Sequence, residues 1–264
     1  MVMENTANKK WAIVLGGSSG LGLATAKKLA SKGYHLIIVH RDRKLDLDQI
    51  HNDFDAIRAN GVSCLNYNID ATNQEKQKKL VEELANELND AKIAVLIHSI
   101  AKGNLKLMNA TGGAELQNQD LQLTINAMAL SLYDWVKLLK QHNLLAKDTR
   151  VIAFTSEGNT KAWPNYAAVS AAKVTLEALV RNIALEFAAD GIKANCIQAG
   201  VTDTKSMRMI PNSELIVKEA LKRNPNGRLT KPADVANAAY LLTTDEAAWI
   251  TGTILKVDGG ESLR

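Results

Sequence analysis

"WAIVLGGSSGLGLATAKKLASKGYHLIIVH" (residues 11–40) decides the fold. From Trp11 to about Leu15 the chain is apolar and closes in glycines, the mark of a buried strand. After "SSGLG", Leu21, Ala24, Leu29 and Ala30 recur at helical spacing, and Gly33 is a natural stop. "HLIIVH" is a second apolar run. Strand, glycine turn, helix and strand within thirty residues make a βαβ unit.

The alternation continues outward from that unit. "VSCLNYNI", "IAVLIHSI", "RVIAFTS", "IKANCIQAG" and "GTILKV" read as further strands. Thr72 and Glu75 stand at capping-box spacing before a helix that carries Leu80, Leu84 and Leu88 on one face. Helices are predicted from about Asp120 to His142, from Tyr166 to Ala189, and over "ADVANAAYLLT". Continuous apolar strands between amphipathic helices imply a parallel sheet covered on both faces. The expectation is a single α/β domain over residues 1–264: a doubly wound, Rossmann-like parallel sheet of about seven strands.

Composition narrows the function classes. The 264 residues are 46% hydrophobic and 23% charged, which suits one folded domain with a sizeable core. A net charge of +4, with no arginine-rich or aromatic-interleaved basic stretch, gives no reason to expect nucleic acid. Cys64 and Cys196 both lie in apolar, strand-like contexts and read as reduced core residues. The five histidines form no metal-binding pair, so no metal is expected. "MVMENTANKK" holds no apolar run for a signal peptide, and no run is long enough to span a bilayer. A cytoplasmic protein without a membrane partner is the default expectation.

"GGSSGLG" follows the first strand and opens the first helix. Glycines permit a tight turn and close backbone approach, and the helix N-terminus offers amides and a positive dipole end to phosphate. A plain βα turn would need no more than this, but the flanking strand and helix favour a dinucleotide site. At the end of the second strand, "HRDRK" places His40, Arg41, Arg43 and Lys44 where cations suit a 2′-phosphate. That favours NADPH, with NADH still possible because Asp42 is also there. Asp70 is placed either to meet the adenine edge or to serve as a turn residue before the next helix.

Tyr166 and Lys173 are seven residues apart, two turns along one helix face. The lysine could hold a cofactor ribose and lower the tyrosine's pKa, and the tyrosine could then donate to an oxygen gaining charge. Taken alone, such a pair is more simply an exposed lysine beside a packed tyrosine.

Over essentially its whole length the chain resembles the short-chain dehydrogenase/reductase superfamily. The resemblance rests on "GGSSGLG", Asp70, Asn126 in "TINAMA", Tyr166, Lys173 and "VDGG" (257–260). Most members end the fourth strand in Asn-Asn-Ala-Gly and have Tyr-x-x-x-Lys; this chain has "HSIA" (98–101) and Tyr-x6-Lys. Both departures, with "PNYAAVSAAKVTLEALVRNIA" and "AGVTDT", resemble the enoyl-acyl carrier protein reductases of bacterial fatty acid synthesis. "IPNSE", "NPNGR" and "VDGGESL" look most like its NADPH-using, third-type branch.

The resemblance implies a set of site residues. Cofactor contacts would come from Gly16, Ser18, Ser19, Gly20, Leu21 and Gly22, and then from His40 and Arg41. Asp70 and Ala71, Ser99, Ile100 and Ala101, and Lys173 would follow. Val201, with Thr202 or Thr204, would meet the nicotinamide carboxamide. Tyr166, Lys173 and Ser156 would form the catalytic group, with Thr155 standing where ketoreductases keep a serine. Asn126 is open between a structural hydrogen bond and a relay-water site.

A lid is expected at about residues 203–224, with Met207, Met209 and Ile210 over an acyl chain. An amphipathic surface helix would show the same residues. From Asp203 to Lys231 seven basic residues outnumber three acidic ones, which suits an acidic carrier or a coenzyme A phosphate, or simply a solvated face.

The expected activity is NADPH-dependent reduction of trans-2-enoyl thioesters on acyl carrier protein or coenzyme A. In that reaction hydride lands on the β-carbon and charge gathers on the thioester oxygen, further from the nicotinamide than in ketone reduction. A shifted Tyr–Lys spacing is consistent with that need. A 3-oxoacyl or other carbonyl reductase is the first alternative, and a non-catalytic NADP(H)-sensing protein the second. The resemblance also implies a homotetramer.

Overall fold

In the first strand, β1 (Trp11–Leu15), Trp11, Ile13 and Leu15 face one side and Ala12 and Val14 the other. All five are buried, so the strand reads as a continuous apolar run instead of an alternating one. The computed structural model describes residues 10–264; the reading of the N-terminus as free of a leader falls on residues 1–9, outside the described residues.

The chain continues through α1 (Gly20–Ala30), β2 (His35–His40), α2 (Leu47–Arg58), β3 (Cys64–Asn68), α3 (Gln74–Glu87) and β4 (Ile93–His98). After a long loop come α4 (Asn118–Ile125), α5 (Ser131–Gln141), β5 (Leu145–Ser156), α6 (Ala167–Glu186) and β6 (Ile192–Ala199). Two helices, α7 (Lys205–Arg208) and α8 (Ser213–Arg223), precede α9 (Pro232–Leu241) and β7 (Ile254–Val257). The seven strands form one parallel sheet in the order β3-β2-β1-β4-β5-β6-β7.

The two faces of the sheet carry separate cores. Leu80 and Leu84 of α3, Trp135 and Leu139 of α5, and Leu176 and Val180 of α6 pack on the Ile13 side. Leu29 of α1, Phe54 of α2 and Val235 of α9 pack on the Val14 side. Cys64 and Cys196 are free and buried, and burial pushes their thiols up to about 11 and about 12. They are neutral core groups. Among the described residues, no helix is long and apolar enough to cross a membrane.

The strand order reverses between β1 and β4. The amide of Gly16 bonds the Val39 carbonyl at 2.8 Å, and that of Ser99 bonds the Leu15 carbonyl at 2.8 Å, so the ladder holds to the strand ends and a crevice opens beyond them. In open α/β sheets this crevice is the ligand site.

Three local expectations are corrected. The cap of α3 is Asn73, whose side chain accepts from the Lys76 amide at 3.0 Å; the Thr72 hydroxyl is drawn instead to Asp70 at 2.7 Å. The helix expected over Asp120–His142 widens into a π-helical stretch at Asn126–Leu130. There the Ser131 amide donates to the Asn126 carbonyl, and the Ser131 hydroxyl bonds the Ala127 carbonyl at 2.8 Å. Finally, α6 begins at Ala167, so Tyr166 is its cap and not a residue of its first turn.

Gly22 explains how closely α1 approaches the glycine turn. A Cβ there would lie 2.1 Å from the Gly16 carbonyl oxygen. Gly22→Ala must therefore push helix and turn apart, at about 3 kcal/mol. The expected result is a fall of roughly 6–12 °C in the thermal midpoint, read by circular dichroism.

Candidate active site

One cavity of about 430 Å³ opens above the β1/β4 crevice. Gly16, Ser18, Ser19, Gly20 and Leu21 form its floor at the start of α1. His40, Arg41, Asp70 and Ala71 line one end, and Ser99, Ile100 and Ala101 the middle. Ser156, Tyr166 and Lys173 line the other end with Val201, Thr202 and Thr204. Gly22 is the exception among the expected residues. It packs under the Gly16 carbonyl instead of facing the cavity, because its role is to let the helix come close.

The start of α1 suits an anion. Ser19 is extended and makes no side-chain cap, and the first turn holds no acidic residue. Gly20 takes φ +55°, a left-handed conformation that favours glycine. Amides at the head of this helix therefore face the cavity without a competing carboxylate, which fits a pyrophosphate.

At the β2 end, Asp42 is turned to the buried His40, whose Nδ1 lies 2.9 Å from its carboxylate. His40 Nε2 is buried without a partner among the described residues. Arg41 and Lys102 converge on one oxygen of Asp70, at 2.9 and 3.1 Å. Burial would raise the Asp70 carboxyl, but bonds from Thr72 and Lys102 outweigh it and hold the group well below the usual range. Asp70 is thus both turn residue and ion-pair partner. Arg43 and Lys44 do not line the cavity.

The Tyr166 end of the cavity is built by β5, α6 and their connection. Ser156 Oγ and Tyr166 Oη lie 3.3 Å apart. Gly158 makes room for the phenol ring, since a Cβ there would sit 2.3 Å from Tyr166 Cε1. Trp163 packs edge-on against the ring at 5.6 Å. Thr155 turns the other way: its hydroxyl donates to Glu177 at 2.5 Å, and Asn159 donates to the same oxygen. Ser156, not Thr155, therefore offers its hydroxyl beside the tyrosine.

Lys173 is buried and donates to the Phe154 carbonyl at 2.7 Å. Burial lowers its pKa to about 8. The expectation that the lysine lowers the tyrosine's pKa is not met. Burial raises the Tyr166 phenol, and the Ser156 bond is what opposes it. The ammonium gives one of its three donors to Phe154, and burial keeps the phenol a neutral donor at ordinary pH.

His98, the first residue of "HSIA", has a structural partner that sequence did not suggest. Its Nε2 meets Ser131 Oγ at 2.9 Å, tying the end of β4 to the π-helical turn at Asn126. Burial and the nearby Lys173 lower its pKa to about 3, so it stays neutral.

The groups expected to meet the nicotinamide carboxamide already have partners within the chain. The Val201 amide donates to Glu261 at 3.0 Å, the Thr202 hydroxyl to the Gly200 carbonyl at 2.9 Å, and Thr204 caps α7 by accepting from Met207 at 3.2 Å. Above them, Met207, Ile210 and Ile216 of the expected lid line the cavity. Met209 is 70% exposed and points away from it. Four of the seven cations counted in this region face carboxylates of the chain: Lys205 with Asp46, Arg208 with Asp203, Arg223 with Glu157 and Arg228 with Asp234. Less positive charge is thus left to attract an acidic partner than the sequence suggested.

The residues that sequence reading missed are Glu157, Glu177 and Glu261, with Arg223, counted only as one of the region's cations, as partner of the first and last. Each is a charged residue packed close to the cavity wall.

The chain is 29% identical to cis-4-hydroxycyclohexanecarboxylate dehydrogenase of Sinomonas cyclohexanicum, over 94% of this chain and 95% of that one. It is 27% identical to the (2S)-[(R)-hydroxy(phenyl)methyl]succinyl-CoA dehydrogenase subunit BbsD of Thauera aromatica, over 96% of each. Its fold superposes on the enoyl-[acyl-carrier-protein] reductase (NADH) of Aquifex aeolicus with a TM-score of 0.82, at 24% identity over 97% of each chain. Residues 16–262 match the family described as enoyl-(acyl carrier protein) reductase. The chain belongs to that family of the short-chain dehydrogenase/reductase superfamily and is an NAD(P)H-dependent oxidoreductase.

Proposed function

We propose that this oxidoreductase reduces trans-2-enoyl thioesters, carried on acyl carrier protein or coenzyme A, and that it uses NADPH. The observation that carries the reading is the Ser156–Tyr166 hydroxyl pair at 3.3 Å, with Lys173 buried behind it and seven residues on from the tyrosine. When bound, the reduced nicotinamide supplies the hydride for the β-carbon. Tyr166, a neutral phenol, donates to the thioester oxygen as it takes on enolate charge. Ser156 is the second donor to that oxygen. Lys173 holds the ribose, and the α-carbon takes its proton from solvent. Leu105, Met128, Trp163, Val169 and Ile210 give the acyl chain an apolar wall.

NADPH is favoured because Arg41 and Lys102 face the adenosine end, while Asp42, the acid that would hold a ribose 2′-hydroxyl, is turned to His40. Carbonyl reduction is the second reading, and the dehydrogenase relatives favour it. The test is oxidation of NADPH, followed by absorbance, with crotonyl thioester and with acetoacetyl thioester, then with NADH in its place. Turnover of the crotonyl thioester, faster with NADPH, is expected. Turnover of the keto substrate alone would reverse the order of the two readings.

A further inference from the structure

We infer that Arg223, the last residue of α8, is a positioning residue that neutralises two buried carboxylates, Glu157 and Glu261, so that the cavity wall tolerates negative charge developing at the substrate oxygen. The inference rests on the reading that reduction takes place beside Ser156 and Tyr166. Arg223 grips Glu157 with both Nη atoms, each at 3.0 Å, and its Nη2 also reaches Glu261 at 2.9 Å. Glu157 directly follows Ser156. The other oxygen of Glu261 accepts from the Val201 amide at 3.0 Å. Both carboxylates line the cavity, and they are only 7% and 2% exposed. One guanidinium thus ties together the end of β5, the turn after β6 and the C-terminal segment.

The charges around the pair come from every packed element. Lys161 pairs with Glu157 at 2.5 Å but is 42% exposed, so solvent screens it. Glu261 faces Arg223 as its cation and Glu157 and Asp258 as anions, and Glu219 of α8 faces Arg223. Burial raises the Glu261 carboxyl. Burial also acts to raise Glu157, but Arg223 and Lys161 pull it below its usual range. Without the guanidinium, Glu261 is a buried carboxylate beside a second one, both on the wall of the cavity that Ser156 and Tyr166 also line.

The same junction has fasteners that do not need Arg223. Asn224 donates to the Asp258 carbonyl at 2.9 Å and Asn226 to the Gly259 carbonyl at 2.8 Å. The "NPNGR" and "VDGGESL" motifs are therefore two halves of one contact, and it leaves an Arg223 variant able to fold.

The experiment compares Arg223→Met, Arg223→Lys and the double variant Arg223→Met/Glu261→Gln with the parent, using whichever thioester the parent reduces, from about pH 5.5 to 9. Arg223→Met is expected to lower kcat roughly 10–30-fold near pH 8 with KM nearly unchanged. Its kcat should recover on acidification, at a pH above any acid limb of the parent, because protonation removes the uncompensated charge. The double variant should regain at least about fivefold, and Arg223→Lys should stay within about fivefold of the parent. A kcat for Arg223→Met within about twofold of the parent overturns the inference, as does a loss that neither acid nor Glu261→Gln relieves. If Arg223→Met does not fold, Arg223→Lys decides alone: a loss beyond about tenfold overturns the charge role, and a smaller one supports it. Failure of the underlying site reading shows in the parent, as inactivity on both thioesters, and it removes this inference with it.

Discussion

Tyr166→Phe is expected to lower kcat about a thousandfold while leaving the KM for NADPH and the thermal midpoint almost unchanged. The phenol oxygen is removed from a site where one partner, Ser156 at 3.3 Å, stands beside it. No strong internal hydrogen bond is lost, so stability should hardly move. The ring keeps its packing against Trp163 and its seat on Gly158. On the proposed reading, what disappears is the donor to an oxygen that gains charge, from a phenol that is itself buried. Because burial raises the phenol's pKa, the tyrosine is protonated across the physiological range, and the loss should not depend on pH between about 6 and 8. Steady-state NADPH oxidation checks it. Undiminished turnover would remove Tyr166 from the chemistry and leave Ser156 as the donor. Ser156→Ala, with a shorter side chain as the second donor, is expected to lose only about tenfold in the same assay.

The scaffold was legible where the physics is local. Trp11–Leu15 and His35–His40 are buried on both faces, so their apolar runs could mean little else, and the helices between strands imply a parallel sheet. Legibility failed where a local choice had two good answers. Thr72 and Asn73 are both good caps, and the Asp70 carboxylate, by claiming Thr72, left the cap to Asn73. It failed again where partners are distant in sequence. His98 and Ser131 are 33 residues apart, Arg223 and Glu157 are 66 apart, and Arg223 and Glu261 are 38 apart. Periodicity and spacing carry no information at that range. The seven-residue interval from Tyr166 to Lys173 was read as two turns of one helix, but the tyrosine caps that helix, after a left-handed Asn165 with φ +65°. Both side chains still reach one cavity, through the bend at the cap as well as helical repeat. Gly16, Gly20 and Gly22 were all expected to contact the cofactor, yet Gly22 serves packing while Gly16 and Gly20 face the cavity. Sequence identifies such residues as a set; only the backbone separates their tasks.

Lys173→Met is expected to cut kcat more than about a hundredfold and yet leave the protein no less stable at pH 7. The ammonium is 7% exposed and bonds the Phe154 carbonyl. Burial lowers its pKa from 10.5 to about 8, which at 1.36 kcal/mol per unit is a destabilisation on the order of 3 kcal/mol while the lysine is charged in both states. The sign follows from proton counts. Below about pH 8 lysine is protonated folded and unfolded, and the folded state bears the whole burial penalty. Between about 8 and 10.5 the unfolded chain binds more protons, so stability from this group rises with pH. Methionine fills the space without charge but leaves the Phe154 carbonyl unpaired, at about 1–3 kcal/mol. The two effects nearly cancel at pH 7. By pH 10 the parent has shed most of its penalty, and the variant should then be the less stable, by up to about 2 kcal/mol. Denaturant unfolding of both proteins at pH 7 and pH 10 reads this reversal, and NADPH oxidation reads the lost turnover. A variant several kcal/mol weaker at pH 7 would make the ammonium a net stabiliser of the fold. A lysine retained for chemistry at the expense of stability is what the site requires if Lys173 holds the cofactor ribose, and a stable but inactive variant would be the evidence for it.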